Sequence, residues 1–365
     1  MTPLDEDWPA ASAANAAPPE RIAEPTAAEP PVPHQGAAES GSDSENENED
    51  GGDNQKQTEN EEDENENDSD LLADYPDTET SIELMHSRLG SLEGLGLERF
   101  HALEYLGCRQ NWIKTMQPVG SLTALKELDL YDNRIKRIEG LEGLGQLTYL
   151  DLSFNKIRKI ERLEALGKLQ ELFFVSNRIQ TIENLADLTL LTNLELGANR
   201  IRRIEGIEQL VNLEQLYLGK NKIERLEGLS TLRRLRVLSI QSNRITKLEG
   251  LEELVALEEL YLSHNGLEKI EGLEHNTRLQ ILDVTSNRLK QLSGIRHLAQ
   301  LEDLWASGNM LDSFANVEEE CAPIASLRTV YFEFNPLQRA SPANYRRKLM
   351  LTLPQLTQID ATPCR

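Results

Sequence analysis

Residues that could do catalytic chemistry are few in this 365-residue chain. His86, His101, His264, His275 and His297 are isolated from one another in sequence, and HExxH, GxxxxGKS/T and GxSxG are all missing. No activated nucleophile, hydrolytic metal site or phosphate cradle can be assembled from such a set. Cys108, Cys321 and Cys364 show no CxxC spacing, so they suggest neither a metal knuckle nor a disulfide framework and fit a reducing compartment. The expectation is a protein with no enzymatic activity, cofactor or metal.

Recognition chemistry is dense by contrast. An asparagine recurs at 111, 133, 155, 177, 199, 221, 243, 265, 287 and 309, every 22 residues, and again at 335. Four residues before each lie Gly107, Asp129, Asp151, Phe173, Glu195, Tyr217, Ser239, Tyr261, Asp283, Trp305 and Tyr331. Six before lie Tyr105, Glu127, Tyr149, Glu171, Asn193, Gln215, Val237, Glu259, Ile281, Asp303 and Thr329. None of these 22 positions is Lys or Arg, although the chain has 38 of them, and seven are aromatic out of a chain total of 18. Rings set among carboxylates mark a protein-recognition surface for a partner bearing basic and apolar groups. Phosphates would be repelled by Asp151, Glu195 and Asp283, so a nucleic-acid-stacking surface is not expected.

The elements that position these columns follow from the repeat. Around each asparagine runs LxxLxLxxN, with apolar residues returning at +2, +5 and +8, as in Ile135, Ile138 and Leu141. The LxL alternation predicts a short strand whose leucines point one way and whose columns point the other. Each Asn can cap backbone groups where the chain leaves the strand, and stacked copies form a ladder. The three-residue apolar spacing afterwards suits a tight 3₁₀ or irregular return. No unit closes its own core, so the units must stack. The predicted fold is an α/β solenoid: a leucine-rich-repeat horseshoe with a parallel concave sheet and capping elements at both ends. Residues 78–100, with Ser87 in the Asn slot, form the N-terminal capping repeat. Residues 101–335 hold about eleven repeats, and 336–365 form the C-terminal cap with a helix over Tyr345–Leu353 ending at Pro354.

Charge divides the chain. Residues 1–77 carry 23 acidic and two basic side chains, leaving 39 acidic and 36 basic groups in the remainder. The first segment, rich in Ala and Pro and then in Glu, Asp and Asn, is expected to be a disordered acidic tail. Ser40, Ser42 and Ser44 each precede an acidic residue by three positions, which makes them candidates for phosphorylation by an acid-directed kinase. The near-neutral body lacks the basic field that nucleic acid requires, and no apolar run is long enough to span a membrane. Arg134, Lys156, Arg178, Arg200, Lys222, Arg244 and Arg288 directly follow an asparagine, most with a Glu five residues on, and read as a solvated belt of locally paired charges.

The segments LDLYDNRI (128–135), LYLGKNKI (216–223), LYLSHNG (260–266) and NPLQ (335–338), with Tyr345-Arg346-Arg347-Lys348 and Gln358-Ile359-Asp360-Ala361-Thr362, resemble the protein phosphatase 1 regulatory subunit 7 family. The resemblance runs from about residue 78 to the C-terminus. It implies a non-catalytic partner of the phosphatase 1 catalytic subunit, nuclear and also cytoplasmic, active in holoenzyme assembly and mitotic dephosphorylation, with a further inhibitor subunit as a possible third member. It also implies that the concave face grips the phosphatase through Asp151, Phe173, Glu195, Tyr217, Asp283, Asp303, Trp305 and Tyr331. The long acidic tail and the stretch 312–326 depart from that pattern. A rival reading is an acidic nuclear leucine-rich-repeat phosphoprotein that chaperones histones or other basic proteins through its tail. Arg328-Thr329-Val330-Tyr331-Phe332 mimics a phosphatase-docking peptide, but Val330 and Phe332 occupy core slots and should be buried.

Overall fold

The structure is a computed structural model that describes residues 70–364, all within the compact unit Asn60–Arg365. Ser40, Ser42 and Ser44 lie outside the described residues. Twelve three-residue parallel strands run in chain order, from β1 (Ser81–Glu83) and β2 (Tyr105–Gly107) to β11 (Asp303–Trp305) and β12 (Thr329–Tyr331). Two short strands, β13 (Gln358–Ile359) and β14 (Thr362–Pro363), complete one 14-stranded sheet. From β2 to β11 each strand is the xLx of its repeat, with Ile82 and Val330 in the central place of β1 and β12. The central residue points inward and is fully buried, as at Leu128, Leu172, Leu216, Leu260 and Leu304. The apolar residues after each asparagine close the same core from the opposite side, as Ile135, Ile138 and Leu141 do.

The asparagines bind each repeat to the one before it. Asn199 is 8% exposed, and its amide donates to Phe174 O at 2.8 Å, Leu196 O at 3.1 Å and Gly197 O at 3.1 Å. Its Oδ1 accepts from Ile179 N–H at 3.0 Å. The same set recurs from Asn111, which reaches Leu84 O and Leu89 N–H, to Asn335, which reaches Ala306 O and Leu311 N–H. The ladder is therefore built from side chain to backbone across repeats, and it satisfies polar groups that the turn would otherwise bury unpaired. The residue before each asparagine pays for this turn with a left-handed backbone, from Gln110 (φ 56°) to Phe334 (φ 60°).

Most return segments are successive i→i−3 turns, such as Leu144 N–H to Leu141 O and Leu147 N–H to Leu144 O, both 3.0 Å. In several repeats the turn begins at a glycine. Gly228 has φ +72°, and a Cβ there would lie 2.6 Å from Ile204 O of the preceding repeat.

Two features differ from the sequence reading. Ordered chain begins before residue 77: Leu72 is 1% exposed, and the Arg99 guanidinium donates to Leu72 O and Tyr75 O and pairs with Asp77. Leu72 and Tyr75 supply apolar surface that a charge count over the whole segment averages away. The longer spacing between Asn309 and Asn335 accommodates a helix, α1 (Phe314–Cys321), capped by Ser313 Oγ accepting from Asn316 N–H at 3.2 Å. Val317 and Cys321 of α1 complete the core of that repeat.

Beyond Asn335 follow α2 (Pro336–Arg339) and α3 (Tyr345–Thr352), the latter close to the predicted span. Tyr345 and Leu349 bury against the last repeat. Strand β13 pairs parallel with β12 and antiparallel with β14, so the last long strand does not offer an open edge. Val330 and Phe332 are fully buried, which removes the docking-peptide reading of that segment.

Candidate functional site

Parallel pairing sets the two columns in strict register. Asp151 stands beside Phe173, Phe173 beside Glu195, Glu195 beside Tyr217, Tyr261 beside Asp283, Asp283 beside Trp305 and Trp305 beside Tyr331. Seven of the eight singled-out residues thus share one column, and Asp303 lies in its neighbour next to Thr329. At about 4.8 Å per strand, Asp151 and Tyr331 stand on the order of 40 Å apart along the sheet. None of the rings enters the hydrophobic core.

The rings are half-buried rather than exposed, because neighbours in the column cover them. Tyr149 and Phe173 pack at 5.2 Å between centroids. Trp305 meets Tyr261 at 6.1 Å and lies edge-on to Tyr331 at 6.0 Å. The tyrosine hydroxyls are held in turn: Tyr261 donates to Glu259 at 2.8 Å, Tyr105 donates to Glu83 at 2.7 Å, and Tyr331 accepts from the Gln358 amide at 2.8 Å. The outcome is two pre-shaped aromatic clusters, one of Tyr149 and Phe173 and one of Tyr261, Trp305 and Tyr331. In the second, Trp305 Nε1 is buried without a hydrogen-bond partner.

The carboxylates divide into two kinds. Asp151 and Asp283 are 6% and 7% exposed, and each accepts from the backbone N–H two residues on, Ser153 at 2.8 Å and Thr285 at 2.9 Å. They brace the strand exit, an Asx turn that the sequence reading did not assign. Glu195 has no such bond and remains available to a partner. Burial, and then the charge of Asp129, push the Asp151 carboxyl up to about 6. Burial and the charge of Asp151 push Glu195 up to about 7. Desolvation dominates both values: a nearby guanidinium opposes it at Asp151 without cancelling it, and no cation opposes it at Glu195.

One basic residue does reach this face. Arg109 comes from the loop two residues before Asn111, pairs with Asp129, and places Nη2 3.8 Å from Asp151 Oδ2. Column positions alone concealed it, since its backbone lies outside the strand.

The basic belt also differs from expectation. Among the described residues, ion pairs do not link Lys156, Arg178, Arg200, Lys222 or Arg244 to the Glu five positions on. They join adjacent repeats through other residues: Arg203 to Glu227 at 3.0 Å and Arg225 to Glu249 at 3.1 Å. Stacking brings these groups side by side, whereas sequence neighbours point along different turns. Among the described residues, no group of three His, Cys, Asp or Glu is placed to hold a metal ion, and no helix is long and apolar enough to cross a membrane.

Comparison with known proteins agrees with this architecture. The family described as Leucine Rich repeats (2 copies) matches residues 123–166, 189–231 and 233–275. Protein phosphatase 1 regulatory subunit SDS22 of Schizosaccharomyces pombe is 58% identical over 50 residues, 14% of this chain and 15% of that protein. Protein phosphatase 1 regulatory subunit 7 of Xenopus tropicalis is 57% identical over 44 residues, 12% of each chain. The chain therefore spans about 15% or less of the length of these two curated relatives in the matched segments. Among solved structures, an internalin (inlF) of Listeria monocytogenes aligns with a TM-score of 0.62 at 23% identity, covering 78% of this chain and 87% of that one. That likeness concerns the fold alone. The stacked xLx strands, the asparagine ladder and these matches give the chain a leucine-rich-repeat fold, with matched segments similar to those of protein phosphatase 1 regulatory subunits.

Proposed function

We propose that this chain is a non-catalytic regulatory subunit that binds the catalytic subunit of protein phosphatase 1 through the concave sheet face, and so contributes to holoenzyme assembly and mitotic dephosphorylation in the nucleus and cytoplasm. The observation that carries the reading is the single in-register column from Asp151 to Tyr331, in which rings are interspersed with carboxylates. The names of the matched relatives, regulatory subunits of protein phosphatase 1, support the choice of partner. The clustered rings at Tyr261, Trp305 and Tyr331 suit an anchor role because they are already ordered, which lowers the entropy cost of docking. Glu195 and Asp303 supply negative charge for basic groups on the partner.

Trp305→Ala tests the reading. It is expected to weaken capture of the catalytic subunit by at least about 2 kcal/mol, roughly 30-fold, measured by calorimetric titration. The melting temperature should stay near wild type, since Trp305 stands outside the buried core. Unchanged affinity would remove the concave face from the interface.

A further inference from the structure

The edge of the solenoid beside the asparagine ladder carries a second surface. Phe154 and Trp112 are 43% and 39% exposed there, and with His86, Arg134 and Lys156 they line an open groove of about 520 Å³. Phe154 sits in the left-handed slot before Asn155 at φ 55°. Equivalent slots hold Ser176, Ala198, Ser242 and Ser286 with nearly the same φ, so the fold does not require a ring there. A bulky residue kept in a strained backbone slot and turned to solvent points to function rather than stability.

Both rings are fixed by neighbours. The Arg134 guanidinium lies 5.2 Å from the Trp112 ring centroid. Tyr131 packs on Phe154 at 4.9 Å, and Arg109 lies 5.3 Å from Tyr131. From the groove a row of cations continues along the same edge, one per repeat: Lys156, Arg178, Arg200, Lys222 and Arg244, each directly after its ladder asparagine. Among the described residues these five make no ion pair with a carboxylate. One carboxylate, Asp132, also lines the groove. At about 4.8 Å per repeat the row extends roughly 20 Å.

From this juxtaposition of a pre-formed aromatic groove and a row of uncompensated cations, we infer that the edge binds an acidic, extended peptide segment of a partner protein. An apolar side chain of that segment seats between Trp112 and Phe154, and its carboxylates lie along Lys156, Arg178 and Arg200. The sheet face is not used, so this site and the phosphatase-binding face proposed above can be occupied together.

The test uses the full chain and a fluorescein-labelled peptide, Glu-Glu-Glu-Leu-Trp-Glu-Glu-Glu-Glu, with fluorescence anisotropy at low salt. Binding should fall at least about ten-fold on Phe154→Ser, a change the fold already accepts at the equivalent Ser176, Ser242 and Ser286. Arg178→Glu combined with Arg200→Glu should weaken binding as strongly, while Trp305→Ala should leave it unchanged. Wild-type melting temperatures in these variants exclude unfolding as the cause. The inference is overturned by no saturable binding, by equal binding of Phe154→Ser, or by a twelve-residue oligothymidylate that binds more tightly than the peptide. Loss of binding with Trp305→Ala would instead assign the peptide to the sheet face.

Discussion

Replacing Asp151 with Asn should stabilise this protein, and only above a definable pH. The Asp151 carboxyl is 6% exposed, stands beside Asp129 in the strand register, and is pushed from 3.8 up to about 6. Its Ser153 N–H bond and the Arg109 guanidinium pull the other way without cancelling the burial. A folded value above the unfolded one means that the native state holds the proton more tightly. The group's favourable contribution is complete below pH 3.8, declines as pH rises, and is gone above about pH 6. Each pH unit of displacement corresponds to 1.36 kcal/mol, so the ionised side chain costs about 3 kcal/mol at pH 8. Asn keeps the oxygen that accepts from Ser153 N–H and removes the charge. Urea unfolding of Asp151→Asn and wild type at pH 4 and pH 8 should therefore show near-equal stability at pH 4 and a variant more stable by about 2–3 kcal/mol at pH 8. Low micromolar protein is needed at the acid end, since the isoelectric point is near 4.7. A variant no more stable than wild type at pH 8, or a stability gap of the same size at both pH values, would refute the reasoning.

Three other outcomes are expected. Asn199→Ala orphans the Ile179 N–H, while the carbonyls of Phe174, Leu196 and Gly197 keep donors in Asn177, Asn221 and the Ser176 N–H; at about 1–3 kcal/mol per buried unpaired group it should lower the urea-unfolding free energy by about 1–3 kcal/mol. Gly228→Ala places a Cβ against Ile204 O in a left-handed turn and should cost about 1–3 kcal/mol by thermal unfolding. Gly228→Asn should cost less, since Asn184 already occupies the equivalent slot at φ 59° and donates to Ile160 O. A partner that places a cation against Glu195 must ionise a carboxyl whose value is pushed up to about 7. Affinity for the phosphatase should therefore rise between pH 6 and pH 8 with release of a proton, and Glu195→Gln should abolish that rise in calorimetry run in two buffers.

Much of this molecule was legible in its sequence because the repeat acts nearest-neighbour: each unit meets the same environment, so one pattern fixes strand, register and core at once. The leucines of xLx, the Asn positions and both concave columns, from Asp151 to Tyr331, follow from counting in steps of 22 residues. Where the period breaks, counting loses its hold. The helix Phe314–Cys321 lies in the one long repeat, and Leu72 and Tyr75 sit within a segment whose charge count conceals them.

Tertiary structure alone decided what each column residue does. Asp151 and Glu195 share a slot and a charge, yet one braces a turn and the other stands unbonded, because a shorter side chain reaches its own backbone N–H two residues on. Arg109 joins the acidic face from outside the strand, and most of the ion pairs run between repeats, Lys247–Glu249 being an exception, since stacking brings together side chains that sequence keeps 20 or more residues apart. Sequence period determines which residues line up; the distances and burial that assign them roles exist only once the units have stacked.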